Sequence, residues 1–201
     1  MEMLPLVILL AVAFYLLKKG DQRQRIALLG SQLGHYQIEK LMESLTAGYL
    51  RALDEADPGR RDQIWQHLGT AETQLCQQFN QFSAEFSKLD GAGTRVSTLP
   101  LAIPYAARLF PRATFDLRKA LAIHANGLTE AAGNPQQRTA KSRAFTLSAE
   151  LFLMQHSCHW FCNSRTVASA RLMARHQTTH AQVLAAVTPA TRAAYLALTG
   201  I

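Results

Sequence analysis

The chain has 201 residues, of which 48% are apolar and 17% charged, a composition that excludes a disordered chain and suits one domain with its own core plus an appendage. The net charge of +7 is uneven: residues 54–104 hold four basic and seven acidic residues (−3), and residues 105–201 hold eleven basic and three acidic (+8). The C-terminal half is therefore the candidate anion-facing part, with acidic proteins, anionic lipid or nucleic acid as its admissible partners, and the plainer reading is arginines on solvated helix faces.

The N-terminus opens on an uninterrupted apolar run, "LPLVILLAVAFYLL" (Leu4–Leu17), extended by Met1 and Met3. Four cations follow within eight residues: Lys18, Lys19, Arg23 and Arg25. A cleavable signal peptide carries its basic residues before the run and a small-residue cleavage site after it. Here Glu2 precedes the run and no A-x-A pattern follows. Spanning the hydrocarbon core takes about 17–25 residues. Met1–Leu17 reaches the lower bound, Lys18 and Lys19 can snorkel to lengthen it, and Tyr15 fits an interface position. A buried N-terminal core helix is the competing reading, disfavoured because no polar face appears anywhere in the run. The reading is an uncleaved single-pass anchor over residues 1–19 joined to a body over residues 20–201. Positive flanks stay in the cytoplasm. The expected location is therefore the inner (cytoplasmic) membrane of a bacterium, N-terminus outside and C-terminal domain cytosolic, with the flanking cations held at anionic headgroups.

The body is expected to be all-α, a bundle of about five to seven helices with no sheet. From Arg23 to Leu53 the apolar residues Ile26, Leu29, Leu33, Tyr36, Leu41, Leu45, Tyr49 and Leu53 recur at helical spacing. Gly30 and Gly34 stand at G-x-x-x-G spacing, which reads as close approach of a neighbouring helix or a local weakening. Pro58 and Gly59 break "DEADPGRR" into a turn. The next helix covers about 60–89 and carries the stripe Leu75, Phe79, Phe82 and Phe86. "DGAGTR" (Asp90–Arg95) ends it and marks a possible sub-boundary near 90–98. Pro100, Pro104 and Pro111 then divide an apolar stretch into short turns that lie over the core or touch the membrane surface. Helices follow over about 112–131, 139–162 and 164–187, and Thr188 with Pro189 starts a last short one.

Cysteines Cys76, Cys158 and Cys162 are odd in number, and two cysteines four apart on a helix seldom suit a bridge. No disulfide framework is expected, which agrees with a reducing compartment. Cys158 and Cys162 belong to "QHSCHWFC" (Gln155–Cys162), two histidines and two cysteines in eight residues. On a helix, His156 and Cys158 point in nearly opposite directions, so all four cannot share an ion. His159 and Cys162 stay about 60° apart, and His176 and His180 stand at i, i+4 on the following helix. Gln177 occupies the place where a zincin motif needs glutamate, so no metalloprotease is implied. Glu150 is the only acid in residues 139–164, and in an otherwise apolar helix its carboxylate needs a partner. Arg171, Arg175, His176 or His180 would supply it across a hairpin of 139–162 with 164–187. The candidate metal ligands are thus Glu150, His159, Cys162, His176 and His180, but the expected role of the stretch is structural: the polar end of a buried helix, with no cofactor.

Function follows as an expectation. A single anchor, a helical cytosolic body and no recognisable catalytic set point to a membrane-tethered, non-enzymatic adaptor or assembly factor that binds a membrane or membrane-associated protein. One alternative is a metal- or haem-dependent helical protein using the 139–187 hairpin. Another is a basic module binding anionic lipid or nucleic acid through Arg138, Lys141, Arg143, Arg165, Arg171 and Arg175. Nucleic acid is the less favoured partner because no aromatic residues interleave with these cations.

Overall fold

A computed structural model describes residues 3–200. Among them the chain forms nine helices and a two-stranded sheet, in the order α1 (Met3–Leu33), α2 (Ile38–Asp54), α3 (Pro58–Phe86), β1 (Arg95–Ser97), α4 (Ala106–Leu109), β2 (Thr114–Asp116), α5 (Leu117–Gly133), α6 (Ala140–Cys162), α7 (Arg165–His176), α8 (His180–Ala186) and α9 (Pro189–Thr199).

The apolar run and the first body helix are one continuous helix. Every residue from Met3 to Leu17 is exposed, whereas Leu29 is buried in the body. At 1.5 Å per residue α1 is about 46 Å long. Its first half is a bare apolar rod, and its second half packs on α3 and α6. Among the described residues it is the one helix long and apolar enough to cross a membrane.

The continuous helix expected over 23–53 is two helices, because a turn at 34–37 separates α1 from α2. Gly34 is the first residue past α1, and its N–H donates to Gly30 O at 2.9 Å. A Cβ at Gly30 would meet nothing within 4 Å. The glycine pair therefore marks a helix end and no packing seam. Asp57 starts α3 by accepting the Arg60 N–H at 2.7 Å, with Pro58 in the first turn. α2 and α3 pack closely, Tyr49 against Trp65 and Gly48 against Leu68. The stripe Leu75, Phe79, Phe82 and Phe86 is fully buried.

α6 is the central element. It packs against α1, α2, α5, α7 and α8 and buries Leu147, Leu151, Leu153, Trp160 and Phe161. The main core runs from Leu29 to Ala168 and includes Phe86, Val96 and Phe115, so it is continuous across 90–98. A smaller cluster joins Leu153 and Leu172 to Val183, Val187 and Tyr195.

Two expectations are corrected. A sheet exists, with Arg95, Val96 and Ser97 opposite Asp116, Phe115 and Thr114 in antiparallel register. Three-residue strands carry too few alternations for a period-2 signal. Eight helices follow α1 where five to seven were expected. One of the eight is the single-turn α4. In addition, the expected helix 164–187 is split into α7 and α8 at Gln177, which adopts left-handed φ of 52°.

Candidate functional site

Polar chemistry concentrates in two places: a buried layer between α5, α6, α8 and α9, and a surface groove between α1, α2, α6 and α7.

In the buried layer, Ser157 is fully enclosed and donates to Leu153 O at 3.1 Å. With its proton so placed, Ser157 Oγ accepts from His124 Nε2, 2.9 Å away. Tyr195 Oη lies 3.3 Å from the same oxygen. His124 is then a neutral imidazole whose Nδ1 has no partner. Burial alone pushes its pKa down to about 3. His156 Nε2 lies 3.1 Å from Ser169 Oγ, and its ring stacks on His180 at 4.3 Å between centroids. Burial first, then the neighbouring His180, pushes His156 down to about 3. The Ser157–His124 pair is sealed from solvent at both residues. It pins α5, α6 and α9 together.

Glu150 is fully buried, but its partner is not the expected one. Its Oε1 accepts the backbone N–H of Thr188 at 2.9 Å, at the start of α9. Oε2 lies against Gly127 of α5, where a Cβ would overlap both it and Thr191 Oγ1. Burial raises the carboxyl to about 7, against the opposing pull of the Thr188 amide and the Thr191 and Thr188 hydroxyls. The expected pairing with Arg171, Arg175, His176 or His180 is not made, because Glu150 lies on the side of α6 that faces α5 and α9, about 160° around the helix from Phe152, on which His176 of α7 stacks.

The candidate metal ligands are dispersed. His176 stacks on Phe152 at 3.8 Å, the neighbour that the helical register gives it, and its Nε2–H donates to Gln155 Oε1 at 2.8 Å. His180 lies on His156, and His159 opens to the groove. Cys162 is buried with a thiol pushed up to about 11 by burial. Among the described residues no three His, Cys, Asp or Glu side chains are grouped to hold a metal ion.

The basic residues form no single patch. Arg138 donates to Thr146 Oγ1 at 2.9 Å, and Arg143 pairs with buried Glu72 at 3.2 Å. Lys141 is exposed. These three stand at the start of α6. Arg165, whose guanidinium lies 5.9 Å from the Trp160 ring, stands past its other end, about 30 Å away along the axis. Arg175 pairs with Glu43 at 2.9 Å, and Arg171 lines the groove. Of the cations after the apolar run, Lys19 lies 5.8 Å from the Tyr15 ring. Lys18 is half-buried and Arg23 exposed. Arg25 turns inward and donates to Arg95 O at 3.0 Å.

The groove has two adjoining lobes that share Glu39, Met42, Gln155 and His159. The outer lobe, about 430 Å³, sets Glu39 and Glu43 beside Arg175 and His176, with Phe152 and the exposed Leu50 also lining it. The inner lobe, about 280 Å³, is walled by Leu29, Phe79, Phe82, Met154 and Cys158. The groove thus combines acidic and basic side chains with apolar walls.

Sequence reasoning missed His124, Ser157 and Tyr195 as a unit. A signal was present: His124 shares an apolar face with Leu121 and Leu128, which marks it as buried. The sequence matches no family model, and neither a curated protein nor a solved structure is similar to it.

Proposed function

We propose that the chain is a single-pass membrane protein whose helical body acts at the cytosolic face as a non-enzymatic adaptor or assembly factor for a membrane-associated protein. The observation that carries this reading is α1. It is apolar and exposed from Met3 to Leu17 and joins the core from Leu29 onward within one unbroken helix. Such a helix leaves no flexible linker between membrane and body, so the body is held close to the membrane surface. Tethering raises the local concentration for any partner in the same membrane, and weak contacts then suffice. The cations Lys18, Lys19 and Arg23, all placed after the run, favour a cytosolic body. The groove, with Glu39, Glu43, Arg175 and His176 at its rim, is the surface for the partner segment.

Affinity capture of the full chain from native membranes in mild detergent, with mass spectrometry, tests this. A membrane partner retained by the wild type and lost with Arg175→Glu supports the adaptor role at the groove. Recovery of no partner, or equal recovery with both proteins, contradicts it.

A further inference from the structure

The segment 98–113 exposes three large apolar side chains within ten residues: Leu101 at 70%, Leu109 at 62% and Phe110 at 47%. The exposed Arg108 and Arg112 stand among them. The base of the segment is fixed, since Thr98 N–H donates to Ala113 O at 2.9 Å and Thr166 Oγ1 donates to Pro100 O at 2.7 Å. Its position relative to α1 is set at two points. Arg25 Nη1 donates to Arg95 O at 3.0 Å, and Tyr105 N–H donates to Asp21 Oδ2 at 3.3 Å. Asp21 is one helical turn, about 6 Å, closer to the apolar run than Arg25. The chain therefore climbs from β1 toward the apolar half of α1. Tyr105 adopts left-handed φ of 53° at the top, where α4 begins. A non-glycine residue holds that conformation at a cost, and the Asp21 contact secures it.

We infer that this segment is a second membrane contact, which seats Leu101, Leu109 and Phe110 in the headgroup–acyl boundary of the bilayer that α1 enters. The inference rests on α1 being the membrane anchor. Asp21 lies about 6 Å past Leu17 along the helix, and the headgroup layer on each side of the hydrocarbon is about 5–7 Å deep. The segment tied to Asp21 is thus at headgroup level. Apolar side chains interleaved with arginine are the composition of interfacial elements, in which the chains enter the acyl boundary and the cations meet phosphate. Lys18 and Lys19 add to the cationic ring at the same height. Two contacts, a spanning helix and a wedge beside it, fix the tilt of the body against the membrane plane, which a single helix leaves free.

The test uses the full chain in vesicles of phosphatidylcholine and phosphatidylglycerol whose acyl chains carry bromine. Three single substitutions are compared with the wild type, whose Trp65 and Trp160 give the background: Tyr15→Trp in the apolar run, Phe110→Trp in the segment, and Leu50→Trp on α2. Leu50 lines the groove beside Phe152, about 14 Å farther along α6 than Phe161, whose carbonyl Arg25 contacts. The inference expects bromine to remove most of the emission added at 15 and at 110 and to leave that at 50 intact. Leu101→Trp serves as a second reporter and is expected to behave as Phe110→Trp. Quenching at 15 without quenching at 110 and 101 leaves the anchor standing and overturns the inference. No quenching at 15 overturns the anchor and the inference with it. A blue-shifted, unquenched signal at 110 would assign the surface to a second copy of the chain and overturn the lipid contact.

Discussion

Glu150 Oε1 accepts the backbone N–H of Thr188 at 2.9 Å, so the lone carboxyl of the central helix is seated on the N-terminus of α9. The partial positive charge of a helix start favours the ionised form, yet enclosure by α5, α6 and α9 prevails and the carboxyl sits near 7.

That balance sets a pH dependence. The folded pKa of about 7 lies above the ordinary 4.5. The stability from the protonated group is complete below the ordinary value and is lost as pH rises through the folded one. The loss is on the order of 3 kcal/mol. Glu150→Gln keeps the acceptor and cannot ionise. Denaturant melts should show it close to wild type near pH 5 and more stable near pH 8. Glu150→Leu strands the Thr188 N–H and should lie about 1–3 kcal/mol below wild type near pH 5, a deficit that closes near pH 8 as the wild type ionises, and it should lie below Glu150→Gln at both.

His124 and His156 act in the opposite direction. Their folded values near 3 lie below the ordinary 6.5. Stability from the neutral rings is therefore complete above pH 6.5 and is lost as pH falls toward the folded values. Each contributes about 1.4 kcal/mol per pH unit in that window, so the two together outweigh Glu150. The protein should be acid-labile. His124→Gln, which keeps a donor for Ser157, should remove about half of the contribution of His124 and His156 in melts between pH 6.5 and 4.5.

At Gly127 a Cβ would overlap Glu150 Oε2 and Thr191 Oγ1. Gly127→Ala gains helix propensity but forces α5 away from α6 and α9. A net loss of about 1–3 kcal/mol is expected. Gly133, where a Cβ meets nothing within 4 Å, is the control: Gly133→Ala should not lower the melting temperature.

Arg143 pairs with Glu72, which also accepts from Tyr49 Oη at 2.7 Å. Arg143→Met leaves a buried carboxyl without its cation and should cost about 2–4 kcal/mol. Adding Glu72→Gln should restore part of that loss. If the double variant is as unstable as the sum of the two single ones, the pair does not pin α6 to α3.

The central helix and its neighbours were legible because their signals are local and repeated. Leu75, Phe79, Phe82 and Phe86 form a seam, and residues 151–154 are apolar around the helix. The break after α1 was also signalled, since Gly34 stands one residue past its end, but the G-x-x-x-G spacing suggested packing instead. The strands at 95–97 and 114–116 are too short to alternate detectably. The Glu150 partner was not legible because it depends on the break at Gln177, after which α8 packs on α6 and α9 on α5, bringing Thr188 to Glu150. The layer of His124, Ser157 and Tyr195 depends on three helices meeting, a non-local fact that spacing does not carry.

Topology is the most direct test of the account. The full chain is fused after Ile201 either to alkaline phosphatase, active only outside the cytosol, or to green fluorescent protein, fluorescent only within it, and each fusion is assayed in membranes that resist alkaline carbonate extraction. The account predicts membrane-retained fluorescence and no phosphatase activity, because Lys18, Lys19, Arg23 and Arg25 all follow the apolar run. Active phosphatase with dark fluorescent protein, or release of the chain by carbonate, would contradict it.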